Sequence, residues 1–151
     1  MKNMNRLINV LALGALVIFV STSFKSLATK SFTVSFTELE NNNGKLAIRL
    51  YDGEVGFPEG DDSVYKDYQV SPSNYKATLS LKDIPYGTYA IAVLHDEDEN
   101  GELKKGFLGI PQEGIGMSNN PGFGLSAPSW EECKFTVNAE TEKLTIELVY
   151  Y

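Results

Sequence analysis

The chain has 151 residues, which allows one domain, and its 20 acidic against 13 basic residues give a net charge of −7. That balance repels phosphate backbones and anionic lipid, so nucleic acid and membrane surfaces are poor partners and cations or neutral ligands are left. A single cysteine, Cys133, rules out an intramolecular disulfide and leaves the apolar core to hold the fold.

The first residues have the three parts of a secretory signal. Residues 1–6 are polar and carry Lys2 and Arg6, residues 7–20 are apolar apart from Asn9, and residues 21–28 are small and end Ser26-Leu27-Ala28. An uncleaved anchor is the rival reading, but a membrane span needs roughly 20 apolar residues. No cysteine stands near the cleavage point to carry a lipid. Residues 1–28 are therefore expected to be a signal peptide and residues 29–151 a single exported β-domain, periplasmic or secreted, with no membrane insertion after cleavage. Lys2, Arg6 and Lys25 leave with the signal and no acid does, so the remainder holds 10 basic and 20 acidic residues, net −10.

Period-two alternation follows, the mark of strands with one face in a core. Phe32, Val34 and Phe36 alternate with polar residues. So do Leu46, Ile48 and Leu50, and then Ala77, Leu79 and Leu81. A weaker strand is expected over residues 64–70. Residues 89–94 are apolar on both faces, which predicts a central strand. Residues 132–137 predict another, with Cys133 and Phe135 facing inward, the thiol acting as a small apolar side chain. Leu144, Ile146 and Leu148 belong to the last. Asn42-Asn43-Gly44 and residues 138–141 read as turns between neighbouring strands. The sum is an all-β, seven-stranded two-sheet sandwich, prealbumin-like or immunoglobulin-like.

Residues 96–130 break the rhythm, being glycine-rich and without a convincing strand. Loops of this length are functional or disordered. Phe107, Leu108, Ile110, Ile115, Phe123 and Trp130 need dry surroundings, so an ordered, packed loop is expected. It opens on His95-Asp96-Glu97-Asp98-Glu99-Asn100-Gly101-Glu102. Asp96, Asp98 and Asn100 at alternate positions can aim oxygens at one point. Gly101 permits the bend, and the Glu102 carbonyl can add a fourth oxygen, as a calcium loop requires. The twelfth position is Phe107 where an EF-hand has glutamate. Calcium would thus be bound weakly, with Glu113 a candidate outside ligand. A solvated acidic hairpin tip is the plain alternative. His95, the only histidine, is expected to be a strand-end residue bonded to backbone rather than a metal ligand.

No sequence signature of a nucleophile, a zinc site or a phosphate loop is present. Phe107, Phe123 and Trp130 read as loop anchors before they read as a sugar-stacking surface. The leading expectation is a non-enzymatic binding or structural module without assignable catalytic residues. The alternative is a cell-envelope enzyme acting on sugar or peptide through acids of residues 96–130.

One further pattern is carried by Tyr86-Gly87-Thr88-Tyr89-Ala90, the His95 to Gly101 run, Phe107-Leu108-Gly109-Ile110-Pro111-Gln112-Glu113-Gly114 and Ser118-Asn119-Asn120. This ordered series resembles domain-of-unknown-function family 2141, an exported bacterial family. The resemblance spans nearly all of residues 31–150 and implies a β-domain with no assigned substrate. The family pattern often has an acid after Asn-Gly-x-Leu. Lys104 and Lys105 stand there instead, which weakens a cation site. The Leu81 to Tyr89 stretch is also similar to the strand entry of prealbumin-like and collagen-adhesin B-type sandwich modules, an analogy of fold alone.

Overall fold

The computed structural model describes residues 27–124 and 126–151. The expected signal peptide, apart from Leu27 and Ala28, lies outside them. Eight strands run in chain order: β1 (Thr29–Thr37), β2 (Lys45–Tyr51), β3 (Val64–Val70), β4 (Ala77–Pro85), β5 (Gly87–Asp96), β6 (Gly114–Met117), β7 (Phe135–Val137) and β8 (Lys143–Glu147). A short helix, α1 (Trp130–Cys133), precedes β7. A small sheet has the order β4-β1-β8 and a large one β3-β2-β5-β6, with β7 also on β5. All pairs are antiparallel except β1 with β8, which is parallel.

Between the sheets lies one core. β1 contributes Phe32, Val34 and Phe36; β2 contributes Leu46, Ile48 and Leu50; β4 contributes Leu79, Leu81 and Ile84; β5 contributes Tyr89, Ile91 and Val93. Ile146 and Leu148 close it. The alternation read from sequence is the alternation found, because a pleated strand sends successive side chains to opposite faces. Phe135 and Leu144 are the exceptions among the residues expected to face inward, being only partly buried.

Three sequence expectations change. First, residues 132–137 are not one strand. Ser129 and Glu132 form a capping box that starts a helical turn, and Cys133 ends it. Cys133 is nonetheless fully buried. Second, the turns at residues 42–44 and 138–141 do not join neighbours. They carry the chain from one sheet to the other, as does the β4–β5 link. Alternation says that a strand has one buried face, and that condition is met as well by facing a strand as by pairing with it. Third, β6 lies within the stretch read as strandless. Its Gly114 and Gly116 carry no side chains to alternate. A Cβ on Gly114 would lie 2.4 Å from the Tyr150 ring, and one on Gly116 would lie 2.9 Å from Ile146. Glycine lets this strand sit flush against the end of the chain.

β5 is the axis of the large sheet. One edge pairs with β2 over residues 90–96. The other is covered in three pieces: β6 on residues 92–95, β7 on residues 87–89, and Ser118 between them. Ser118 is fully buried; its Oγ accepts the Ile91 N–H at 2.9 Å and donates to the Cys133 carbonyl at 2.6 Å. That one hydroxyl fills the gap in the ladder and pins α1 to the sheet. On the other side of β6, Ile115 and Val149 exchange two backbone hydrogen bonds, so β6 also joins the chain that follows β8.

Candidate functional site

The outward face of the large sheet is covered in one half and open in the other. In the covered half Tyr51, Ala90, Met117, Trp130 and Cys133 form a second small core, with Phe57 and Phe123 against it. Phe57 stacks edge-on to both Tyr51 and Trp130, contacts worth about 0.5–1.5 kcal/mol each beyond area burial. Trp130 and Phe123 are thus loop anchors, as expected.

The open half is the floor of a cleft of about 1140 Å³. Strand register sets its floor in two rows. Gln69, Ala47, Leu94 and Ile115 make one, and Asp67, Arg49, Ala92 and Met117 the other. Its walls include Pro58 and Glu59 on one segment and Leu108, Ile110 and Pro111 on another. Lys105 Nζ meets Glu59 Oε1 at 3.1 Å, so an ion pair spans from one wall to the other.

The second wall is a narrow hairpin. Gln112 N–H bonds the Lys104 carbonyl, Gly106 N–H bonds that of Ile110, and Lys105 bridges Pro111. Leu108 takes φ +60° and Gly109 φ +75° at the tip. The loop is ordered, as expected, but its apolar tip is not packed. Phe107 is 86% exposed and Leu108 83%, and Ile110 is also exposed. A two-stranded ribbon standing off the sheet has no neighbour to bury its end, so Phe107 is no anchor.

Between β5 and this hairpin runs the acidic segment. Its shape comes from two buried carboxylates. Asp96 Oδ1 accepts the Asn100 N–H at 3.0 Å and Oδ2 the Gly101 N–H at 2.9 Å. Glu113 Oε1 accepts the Glu97 N–H at 3.0 Å and Oε2 the Lys104 N–H at 2.9 Å. Asp98 adds a bond from Asn100 N–H, and Asn100 Oδ1 accepts the Glu102 N–H at 2.7 Å. The Asn41 amide donates to Glu97 and Lys45 pairs with Glu99, bracing the segment from the β1–β2 turn. Oxygens of Asp96, Asp98 and Glu113 lie within 4.8 Å of one another. The structure thus brings together two of the sequence-predicted ligands and the outside acid. Asn100 lies at the turn and Glu102 is exposed beyond it. Carboxylates that serve as loop ties gather in this way without an ion, so the grouping alone identifies no metal.

His95 is fully buried beneath the segment. Its Nε2 donates to the Asn43 carbonyl at 2.8 Å, since a carbonyl only accepts. Its Nδ1 lies 2.7 Å from the Tyr150 hydroxyl. Burial pushes that phenol up to about 12. His95 is a backbone-bonded structural residue, as expected.

The family model described as an uncharacterized protein conserved in bacteria, DUF2141, matches residues 34–145. The chain belongs to the DUF2141 family. No curated protein and no solved structure matches it. The matched span holds the acidic segment, the hairpin and every strand of the cleft floor. Sequence reading missed the cleft itself. Its one signal was the apolar outward set of β5, Ala90, Ala92 and Leu94, which was read only as central position in a sheet.

Cys133 lies 3.6 Å from Met117 Sδ, and burial, with Glu132 adding to it, raises its thiol from 9.0 to about 11. At pH 8 a thiol reagent is expected to label the denatured chain readily and the native protein negligibly; fast native labelling would place the thiol at the surface. The native state favours the neutral thiol. Its contribution to stability is therefore whole below pH about 9 and is lost as the pH rises through about 11. Denaturant melts across that window should show the loss in the native sequence and less of it in Cys133→Ala.

Proposed function

We propose that this DUF2141 member is an exported, non-enzymatic binding module that holds an apolar ligand in the cleft between the outward face of the large sheet and the 104–112 hairpin. The observation that carries the reading is the floor. Ala47, Ala92, Leu94 and Ile115 face outward, where an antiparallel sheet that meets only water would be polar. Concave, largely apolar sites with a few polar groups are where small ligands bind. The three-part N-terminal sequence supports export, and protein recovered from the cell envelope is expected to begin at Thr29. A mass that retains residues 1–28 would overturn that part.

The cleft is tested with the neutral fluorophore N-phenyl-1-naphthylamine. Saturable fluorescence enhancement is expected. Ala47→Phe, which fills the floor from a position outside both cores, should weaken it roughly tenfold while leaving the melting temperature unchanged. Leu94→Gln gives a second reading of the same floor. Enhancement that survives both substitutions would remove the cleft as the site.

Calcium enters as a subordinate proposal, a weak ion at Asp96, Asp98 and Glu113 that tightens the acidic segment. Each tie oxygen accepts one N–H and keeps a second lone pair. A dissociation constant of about 10⁻⁴–10⁻³ M is expected. Tenfold excess over it would add about 1.4 kcal/mol, or about 5 °C in melting temperature. The measurement is a melt in chelator, then in calcium or magnesium at fixed ionic strength. The calcium rise should exceed the magnesium rise and vanish in Asp98→Asn, where the exposed acid can change without untying the loop. Equal melts in chelator and calcium leave the segment as a solvated tip.

A further inference from the structure

We infer that the ligand of this cleft is amphipathic, with an apolar body and a polar end that is uncharged or cationic; the inference rests on the cleft being the binding site. Both rows of the floor change character in the same direction. From β6 and β5 come Ile115 and Leu94 in one row and Met117 and Ala92 in the other. From β3 come Gln69 and Asp67, with Arg49 of β2 beside Asp67. A ligand lying across the strands therefore meets apolar surface at one end and hydrogen-bonding groups at the other.

The charge of the polar end follows from what already occupies its cations. Arg49 has Asp61 Oδ1 at 2.9 Å from one terminal nitrogen and Asp67 Oδ1 at 3.4 Å from Nε, and it also donates to the Glu59 carbonyl at 3.2 Å. Lys105 is held by Glu59. Two cations of the cleft pair with Glu59 and Asp67 in its lining and with Asp61 just outside it, before Asp96 and Glu102 of the same cleft are counted. An anionic head could reach only the N–H groups that these carboxylates leave over on Arg49 and Lys105, and it would meet an unbalanced negative charge. A hydroxyl, an amide or an ammonium meets unused acceptor lone pairs on Asp67 and Glu59 and the Gln69 amide. Electrostatic complementarity of this kind decides which ligand is rejected more than how tightly the right one binds.

The experiment displaces bound N-phenyl-1-naphthylamine from the purified protein with three twelve-carbon amphiphiles, each below its micelle concentration. These are glycerol monolaurate with an uncharged head, dodecyltrimethylammonium with a cationic one, and dodecanoate with an anionic one. The uncharged and cationic probes are expected to displace at roughly tenfold lower concentration than dodecanoate. Asp61→Asn plus Asp67→Asn, at exposed positions outside both cores, frees Arg49 and should narrow that gap at least severalfold. Dodecanoate that competes as well as the other two would overturn the inference and leave the cleft as a binding site. So would a dodecanoate disadvantage unchanged in the double variant. Failure of the fluorophore to bind at all would overturn the binding reading, and the inference with it.

Discussion

Glu113 holds the cleft end of the molecule in shape. It stands just before β6, is buried, and its two oxygens take the N–H groups of Glu97 and Lys104, the two ends of the acidic segment. Asp96, at the end of β5, ties the middle of the same segment at Asn100 and Gly101. Hydrogen bonds to charged acceptors contribute about 1.5–3 kcal/mol each. Four of them fix a stretch whose other ties are the hydrogen bonds of Asp98, Asn100 and Asn41 and an exposed ion pair of small worth. The hairpin that walls the cleft begins where this segment ends, so its base is placed by two carboxylates, with the Lys105–Glu59 pair holding it across the cleft. Such a tie explains how Phe107 and Leu108 can stand in solvent at an ordered site.

The second determinant is β5. Its inward residues fill the sandwich, and its outward residues divide their labour along the strand. Ala90 lies under Trp130 and the small core, Ala92 and Leu94 lie open in the cleft, and Asp96 anchors the segment. The short side chains at Ala47 and Ala92 make the trough that larger residues would fill. One strand thus serves core, floor and clamp in sequence, and the family match covers all three parts.

Much of this was legible in the sequence, for identifiable reasons. Strict alternation gave the inward faces of β1, β2, β4 and β8, since period two survives whatever the partner. The Asp96, Asp98 and Glu113 grouping was legible because their chemistry marks them even when their distance in sequence hides their proximity. Partner choice was not legible at residues 42–44 and 138–141, because a turn reports reversal and says nothing about which sheet follows. β6 was hidden by the glycines that Tyr150 and Ile146 require. The helical turn at Cys133 was hidden by an alternation that Ser129 and Glu132 override through capping. The cleft was hidden by a degeneracy: an outward apolar residue under a helix and one in an open trough look the same in a string of letters.

The parallel pairing of β1 with β8 has a kinetic consequence. β1 opens the domain and β8 closes it, and β4, the other neighbour of β1, lies some way downstream. Almost the whole domain must therefore be in hand before the small sheet can be completed. Pairings so distant in sequence cost loop-closure entropy before any contact repays it, and such folds form slowly. Until then the inward faces of β1 and β4 are exposed apolar ribbon. A chain built in this order keeps its small sheet unfinished until its last strand has been made.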